Sequence, residues 1–456
     1  MTAVGDAGLP GRLAVAALIV FAAVTPLLPT HDLKADATLI SAVIVVAAAY
    51  VRTRAGGKFD HTAVDRAALA FLLVAILATI FSVDPFVSLI PSRRAGEGLL
   101  VYVGYVALLL AAARLNRHQM DVVLGAVLLS GAVIGAVGTA QYFGVDVVGW
   151  LGFRAVTQLR FYGLDAGGGP ALYNFGRSNS TLGNPIFLGG YATLLLPVTA
   201  ALVAQSLGWR PWAYGIAGVM LFGALIGSQT RAAWIAAGAG VVVAVLLSPK
   251  SPQAWRRLAV LALACAVLGG VMLAARQEAG LPQRAASTVD LSDPGIRYRL
   301  YLWKHTLPMI AKRPLLGWGF STMLGRFQDL GSEEYFRLFG FTVIGIDTPH
   351  NDLLHIAYSI GLLGLAAYLW IWVVFARSLR VSLGAAPRHN PRLDGALLAS
   401  LLAYFLWVQS AWPQVGTAHI FWTFGGIAVA MGREARGQGR AFSTTLGGIR
   451  RNAACP

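Results

Sequence analysis

The strongest constraint on this chain is the return, about a dozen times along 456 residues, of apolar runs long enough to cross a bilayer. Spanning the hydrocarbon core takes roughly 20 largely apolar residues, fewer where flanking side chains snorkel. The runs fall at 12–29, 37–51, 67–83, 98–113, 120–141, 186–207, 211–227, 232–247, 258–275, 353–376, 395–411 and 417–432. Lipid offers no partner to free backbone N–H and C=O groups, so such runs satisfy themselves as helices. At 57% hydrophobic and 12% charged, the composition departs from that of a soluble globular protein in both respects. The sequence predicts an all-α, polytopic helical membrane protein with about twelve transmembrane helices.

Orientation follows from Lys and Arg, which cytoplasmic loops retain. With the N-terminus inside, the inner loops and tail hold twenty basic residues, and the short outer loops hold four: Lys34, Arg93, Arg94 and Arg231. That asymmetry predicts cytoplasmic termini. The other twelve lie in two long outer segments, 142–185 and 276–352, and long segments translocate regardless of charge. The net charge of +16 is largely the inner-loop signal and gives no reason to invoke nucleic acid. Cys265, mid-helix, and Cys455, in the tail, form neither a disulfide framework nor a zinc-type spacing. The first run lacks a small-residue cleavage site and reads as a retained helix rather than a signal peptide.

Residues 1–275 read as a bundle of about nine spans carrying the outer loop 142–185. A larger outer loop, 276–352, follows, then the last three spans over 353–432. The basic, Gly/Ser-containing tail 433–456 is expected to be disordered and cytoplasmic. Gly and Asn density in 142–185 predicts a tight, irregular loop, and Asn184-Pro185 marks the start of the next helix. Within 276–352, Asp293 caps a helix opening at Pro294. Ile296, Leu300, Trp303, Leu307 and Ile310 form its apolar stripe, and Pro314 ends it. Such a helix would lie on the membrane surface or across the bundle.

Four outer stretches concentrate the chemistry. "SQTRAAW" puts Arg231 at the end of a very short hairpin, and "GIRYRLYLWKHTL" puts Arg299 and Trp303 on one helix face, with Arg297 pointing further from the apolar stripe. "IDTPHNDLLHIAYSIGLLGL" sets Asp347, His350, Asn351 and Asp352 at the mouth of an apolar helix. "SNSTLGNPIFLGGY" carries Asn184 and Tyr191, with Arg160 and Arg177 upstream. Taken singly, each has an ordinary reading: snorkelling anchor, solvated histidine, turn. Together they suit one task. Guanidinium groups hold phosphate oxygens bidentately and never deprotonate, and an imidazole accepts a proton near neutral pH. Arginines beside a lipid-facing cleft, with a histidine, suit transfer of a group from a lipid pyrophosphate to a hydroxyl. There is no Asp-x-Asp, no His/Glu metal spacing and no phosphate-cradling Gly loop followed by Lys, so neither a metal nor another cofactor is implied.

In their order around one long outer loop, "SQTRAAW", "RLYLWKHTLPMIAKRPLLGWGF" and "PHNDLLHIAYSIGLLGL" resemble the O-antigen ligase superfamily of membrane glycosyltransferases. The resemblance covers residues 178–375. It implies a metal-independent enzyme of GT-C-like helical architecture in the bacterial inner membrane. Such an enzyme takes a glycan from undecaprenyl pyrophosphate on the periplasmic side, with inversion, and ligases attach it to lipid A–core. By the match, Arg231 and Arg299 would hold the pyrophosphate and His350 would activate the acceptor hydroxyl. Arg297, Arg160 and Arg177 are further phosphate candidates. Asn184, Tyr191, Trp303, Asn351 and Asp347 are candidates to line the cleft, with packing the alternative for Asn184, Tyr191 and Trp303.

Three alternatives stay open. An O-antigen polymerase or a protein O-oligosaccharyltransferase would use the same donor and differ in the acceptor. For a transporter or flippase of lipid-linked sugars, a proton-coupled carrier would want an acidic group inside a span and a flippase would want basic residues along an interior groove. No Asp or Glu lies well within the twelve runs, and the arginines gather at the outer ends, which favours the enzyme.

Overall fold

All twelve apolar runs are helical in the computed structural model, which describes residues 9–55, 61–90, 97–150, 160–164, 170–173, 177–275, 290, 293–327, 334, 342–343, 346–385, 393–412 and 414–452. The helices are α1 (Leu9–Ile19, continued by a π turn and a 3₁₀ turn to Leu27), α2 (His31–Arg54), α3 (Asp65–Ile80), α4 (Pro85–Leu89) and α5 (Leu99–Ala112). Next come α6 (Arg117–Tyr142), α7 (Val147–Trp150), α8 (Pro185–Gln205), α9 (Arg210–Gly227), α10 (Arg231–Leu247) and α11 (Pro252–Ala275). The last are α12 (Pro294–Lys312), α13 (Met323–Phe327), α14 (Asp352–Gly384), α15 (Leu393–Val408) and α16 (Ala418–Asn452). Among the described residues, six segments are long and apolar enough to cross a membrane: Leu9–Leu27, Asp32–Arg54, Arg117–Tyr142, Pro185–Gln205, Pro252–Ala275 and Asp352–Gly384. The protein is a multi-pass membrane protein.

Helix α8 is the axis of the bundle. Asn184 caps it by accepting from Ile186 N, Pro185 fills the first turn as expected, and 94% of its apolar window is buried. Close packing there needs a missing side chain: a Cβ on Gly190 would lie 2.2 Å from the Trp407 ring on α15. Helix α11 lies at the periphery, with Val260, Leu263, Val267 and Val271 all at least half exposed, as a lipid-facing helix requires.

The fold is all-α, with one small addition in the loops: β1 (Arg160–Leu164), β2 (Pro170–Tyr173) and β3 (Thr342–Val343) form an antiparallel sheet of order β2-β1-β3, which joins the two long loops. Other expectations need correction. The tail is not irregular, because α16 runs on to Asn452. Its Phe442, Leu446 and Ile449 recur at helical spacing among the arginines. Lys34 does not sit in a short loop but within α2, fully buried, with Nζ donating to Thr181 O at 2.7 Å. Only part of the predicted apolar stripe of α12 lies on its buried face, Ile310 within the buried cluster and Trp303 packed against it. Tyr301, Leu302, Thr306, Met309 and Ile310 are buried, whereas Leu300 and Leu307 are more than half exposed. This helix is apolar on two sides, and the packed side is chosen by Ala357 and Tyr358 of α14, which spacing alone does not reveal.

The run 353–376, expected as one span, is broken. Ile360 and Gly361 leave helical geometry, with Gly361 at φ 73°. The "PLLGWGF" loop docks into the break: Leu362 N donates to Pro314 O at 2.7 Å, while Trp318 N and Gly319 N donate to Tyr358 O and Ser359 O, each at 2.9 Å. Backbone groups freed by the break thus find partners in the loop, as buried peptide groups must. A Cβ on Gly361 would lie 2.0 Å from Leu315 O, so this motif pair is a matched fit. The result is a two-turn half-helix, 352–359, immediately after His350.

Candidate active site

Hydrogen bonds gather one end of the bundle into a single layer. The α9–α10 hairpin meets the segment before α8, with Ser178 N donating to Gly227 O at 2.9 Å and Thr230 Oγ1 to Pro185 O at 3.1 Å. The loop before α14 meets the end of α15, where Asn351 Nδ2 donates to Gln409 O at 3.0 Å. Helix α12 closes the layer: Arg299 Nε donates to Ser410 O at 2.8 Å.

Arg231 opens α10, is 9% exposed, and pairs through Nη2 with Asp293 Oδ1. Asp293 caps α12 with the same oxygen, which accepts from Gly295 N at 2.8 Å. One carboxylate thus binds the arginine to the helix that carries Arg299. Arg299 lies one turn on, its Nη1 donating to Gly295 O at 2.9 Å. A Cβ on Gly295 would lie 3.3 Å from Arg231 Nη2 and 3.5 Å from Arg299 Nη1, so the two guanidinium groups come within about 7 Å of each other.

His350 completes the group. Its ring lies between aromatic edges, 4.3 Å from the Trp412 centroid and 5.4 Å from that of Tyr298. The residue as a whole is half-buried, and its Nδ1 is buried with no hydrogen-bond partner. Burial holds its pKa well below the ordinary imidazole value, and the positive charge of Arg299 lowers it further. The residue has φ 52°, a left-handed conformation costly for any side chain larger than glycine. Trp303 Nε1 donates to the preceding carbonyl, Pro349 O, at 3.1 Å. Asn351 accepts from Leu354 N at 3.0 Å as the cap of α14.

Of the residues singled out from sequence, Arg231, Arg299 and His350 share this site, and Trp303 and Asn351 brace it. Arg177 lies beside it, with Nε donating to Ser228 O at 2.9 Å and Nη2 to Thr230 Oγ1 at 3.1 Å, and so holds the hairpin that presents Arg231. Asp347 is half-buried in the loop before His350, and Arg297 is exposed on another side of α12. Asn184 serves as a cap; Tyr191 is fully buried, with its hydroxyl 3.5 Å from Ser130 Oγ, a packing residue. Arg160 has its backbone on β1. Sequence reasoning missed Asp293 as an ion-pair partner, having seen only a cap, and missed Tyr298 and Trp412 as the walls around His350. The i and i+1 placement of Tyr298 beside Arg299 was the one available signal.

It also missed a buried polar cluster. Glu97, 4% exposed, places Oε2 2.9 Å from Nε2 of His355, 2% exposed; Asp352, 1% exposed, accepts from Tyr368 OH at 2.8 Å. Both carboxylates sit one residue beyond the ends of apolar runs, so no acidic group lies within a run, yet both fold inward.

Residues 216–369 match the O-antigen ligase family model. The chain is 24% identical over 204 residues to an O-antigen ligase of Salmonella typhimurium (strain LT2), covering 43% of this chain and 47% of that protein. It is also 24% identical over 139 residues to a protein of Rickettsia prowazekii (strain Madrid E) named as a candidate polysaccharide ligase, covering 30% of this chain and 33% of that one. The matched stretches thus span less than half the length of either relative. Over residues 216–369, which hold the three motifs with Arg231, Arg299 and His350, the chain is thus similar to the O-antigen ligases.

Proposed function

We propose that the protein is a bacterial inner-membrane glycosyltransferase that moves a glycan from undecaprenyl pyrophosphate to a hydroxyl of lipid A–core on the periplasmic face. Both termini are cytoplasmic in this reading, with twelve spans between them. The supporting observation is the approach of Arg231 and Arg299 to within about 7 Å, a separation suited to the two phosphates of one pyrophosphate, with His350 beside Arg299.

The acceptor oxygen attacks the anomeric carbon from the face opposite the leaving group, with inversion, while His350 takes the hydroxyl proton. The bond from carbon to phosphate oxygen breaks, and the electron pair leaves on undecaprenyl pyrophosphate, whose charge the two arginines hold without a metal. Burial is the main cause of the low basicity of His350, and the charge of Arg299 adds to it; a seated pyrophosphate offsets only the part due to Arg299, so the imidazole becomes a stronger base once the donor is bound. The test is transfer from a purified lipid-pyrophosphate glycan in EDTA, with lipid A–core, a serine-containing peptide and a second donor molecule offered in parallel. Product on lipid A–core with inverted anomeric configuration supports the reading. Product on peptide, donor-to-donor growth, or loss of transfer in EDTA overturns the corresponding part.

A further inference from the structure

The two-turn half-helix 352–359 cannot hold itself. Isolated helices shorter than about 12–15 residues are marginal, and this one ends in the break at Ile360 and Gly361. It nevertheless follows a histidine whose left-handed backbone persists only where its surroundings over-determine it. Something beneath must clamp it.

The buried polar cluster is placed to do so. Asp352 is the first residue of α14, where the helix N-terminus favours a carboxylate. Its bond to Tyr368 OH crosses the break and ties the half-helix to the rest of α14. One turn on, His355 faces Glu97, which comes from the segment just before α5, and Glu97 O in turn accepts from Ser321 Oγ at 3.2 Å, just past the docked "PLLGWGF" loop. Glu97, Asp352 and Tyr368 line one small internal cavity, along with Tyr102, Tyr105 and Trp422. Glu97 Oε1 and Asp352 Oδ1 are buried and unpartnered, as is Nδ1 of His355. Three unsatisfied polar atoms at one place are a poor way merely to fill a core, because each leaves a desolvated group without a partner.

We propose that Glu97, His355, Asp352 and Tyr368 are positioning residues that fix the half-helix and thereby the geometry of His350. This rests on the proposed role of His350 as base. The cluster touches neither arginine through any bond described above, so donor binding should survive its disruption.

The experiment compares wild type with Glu97→Ala, Glu97→Gln and Tyr368→Phe in the full-length protein in detergent. Misplacement of a reacting group by about 1 Å costs up to 10²-fold in rate. Glu97→Ala is therefore expected to lower kcat roughly ten- to a hundred-fold with donor KM within about twofold, and the shape-preserving Glu97→Gln to recover part of the loss. Tyr368→Phe, which keeps the ring, carries the test if Glu97→Ala does not fold. A second readout needs no transfer: labelling of His350 by diethyl pyrocarbonate, followed by peptide mass, should become several-fold faster in both disruptive variants. Rates within about twofold of wild type together with unchanged labelling would overturn the proposal. Should His350→Ala transfer as well as wild type, the role of His350 fails, and the labelling alone decides whether the cluster positions its loop.

Discussion

Replacing Asp293 with asparagine isolates the charge that binds Arg231. Asparagine caps a helix about as well as aspartate, so the start of α12 should survive the change. The ion pair should not. Its side chains are 9% and 8% exposed, so the pair is buried, and removing one member of such a pair costs about 3–5 kcal/mol, because the other charge stays in the interior. Asp293→Ala should cost about 1 kcal/mol more for the lost cap. Thermal unfolding of the detergent-solubilised protein reads the loss, with Asp84→Asn, at an exposed cap, as control. In the proposed mechanism the donor pyrophosphate competes with Asp293 for Arg231. Added donor should therefore raise the melting temperature of Asp293→Asn more than that of wild type. An unchanged melting temperature in Asp293→Asn would refute the buried pair; a donor effect no larger than in wild type would refute the competition.

Gly361→Ala puts a Cβ 2.0 Å from Leu315 O at a residue with φ 73°, a backbone conformation that itself costs about 1–2 kcal/mol. Size-exclusion profiles should show little monodisperse protein. Trp303→Phe keeps an aromatic ring, though a smaller one, and loses the bond to Pro349 O, a net loss of about 1 kcal/mol; the expected signature is a several-fold lower kcat with unchanged donor affinity. Because the pKa of His350 is held below that of an unfolded histidine, about 6.5, its neutral form favours the folded state above that pH. That contribution is lost as pH falls through the depressed value. The acid limb of kcat/KM should accordingly lie well below pH 6.5, and in Arg299→Gln the titration of His350, followed by NMR, should move upward. A limb at or above 6.5 in wild type contradicts the assignment.

The sequence announced what depends on local spacing and hid what depends on folding back. Apolar runs located every long helix but α12, and Asn184-Pro185 and Asp293-Pro294 marked two helix starts, because capping is settled within a few residues. The break in α14 was hidden: Gly361 sits in an unbroken apolar stretch, and its partner loop is forty-odd residues upstream. Either apolar side of α12 satisfied helical periodicity, and only contact with Tyr358 decides between them. Arg231, Arg299 and His350 were picked out by residue type and motif, but their meeting depends on Asp293, whose second role cannot be read from a cap signal. Glu97 was invisible for the same reason, lying more than 250 residues from His355.

The most direct test of the central claim is a single-turnover comparison of wild type with His350→Gln, each saturated with lipid-pyrophosphate glycan and then mixed with lipid A–core. If His350 accepts the hydroxyl proton, the variant should bind donor with unchanged affinity and transfer it at least about a hundred-fold more slowly, the usual scale for losing a general base. Transfer within a few-fold of wild type, with the donor equally bound, would remove His350 from the chemistry and with it the proposed mechanism.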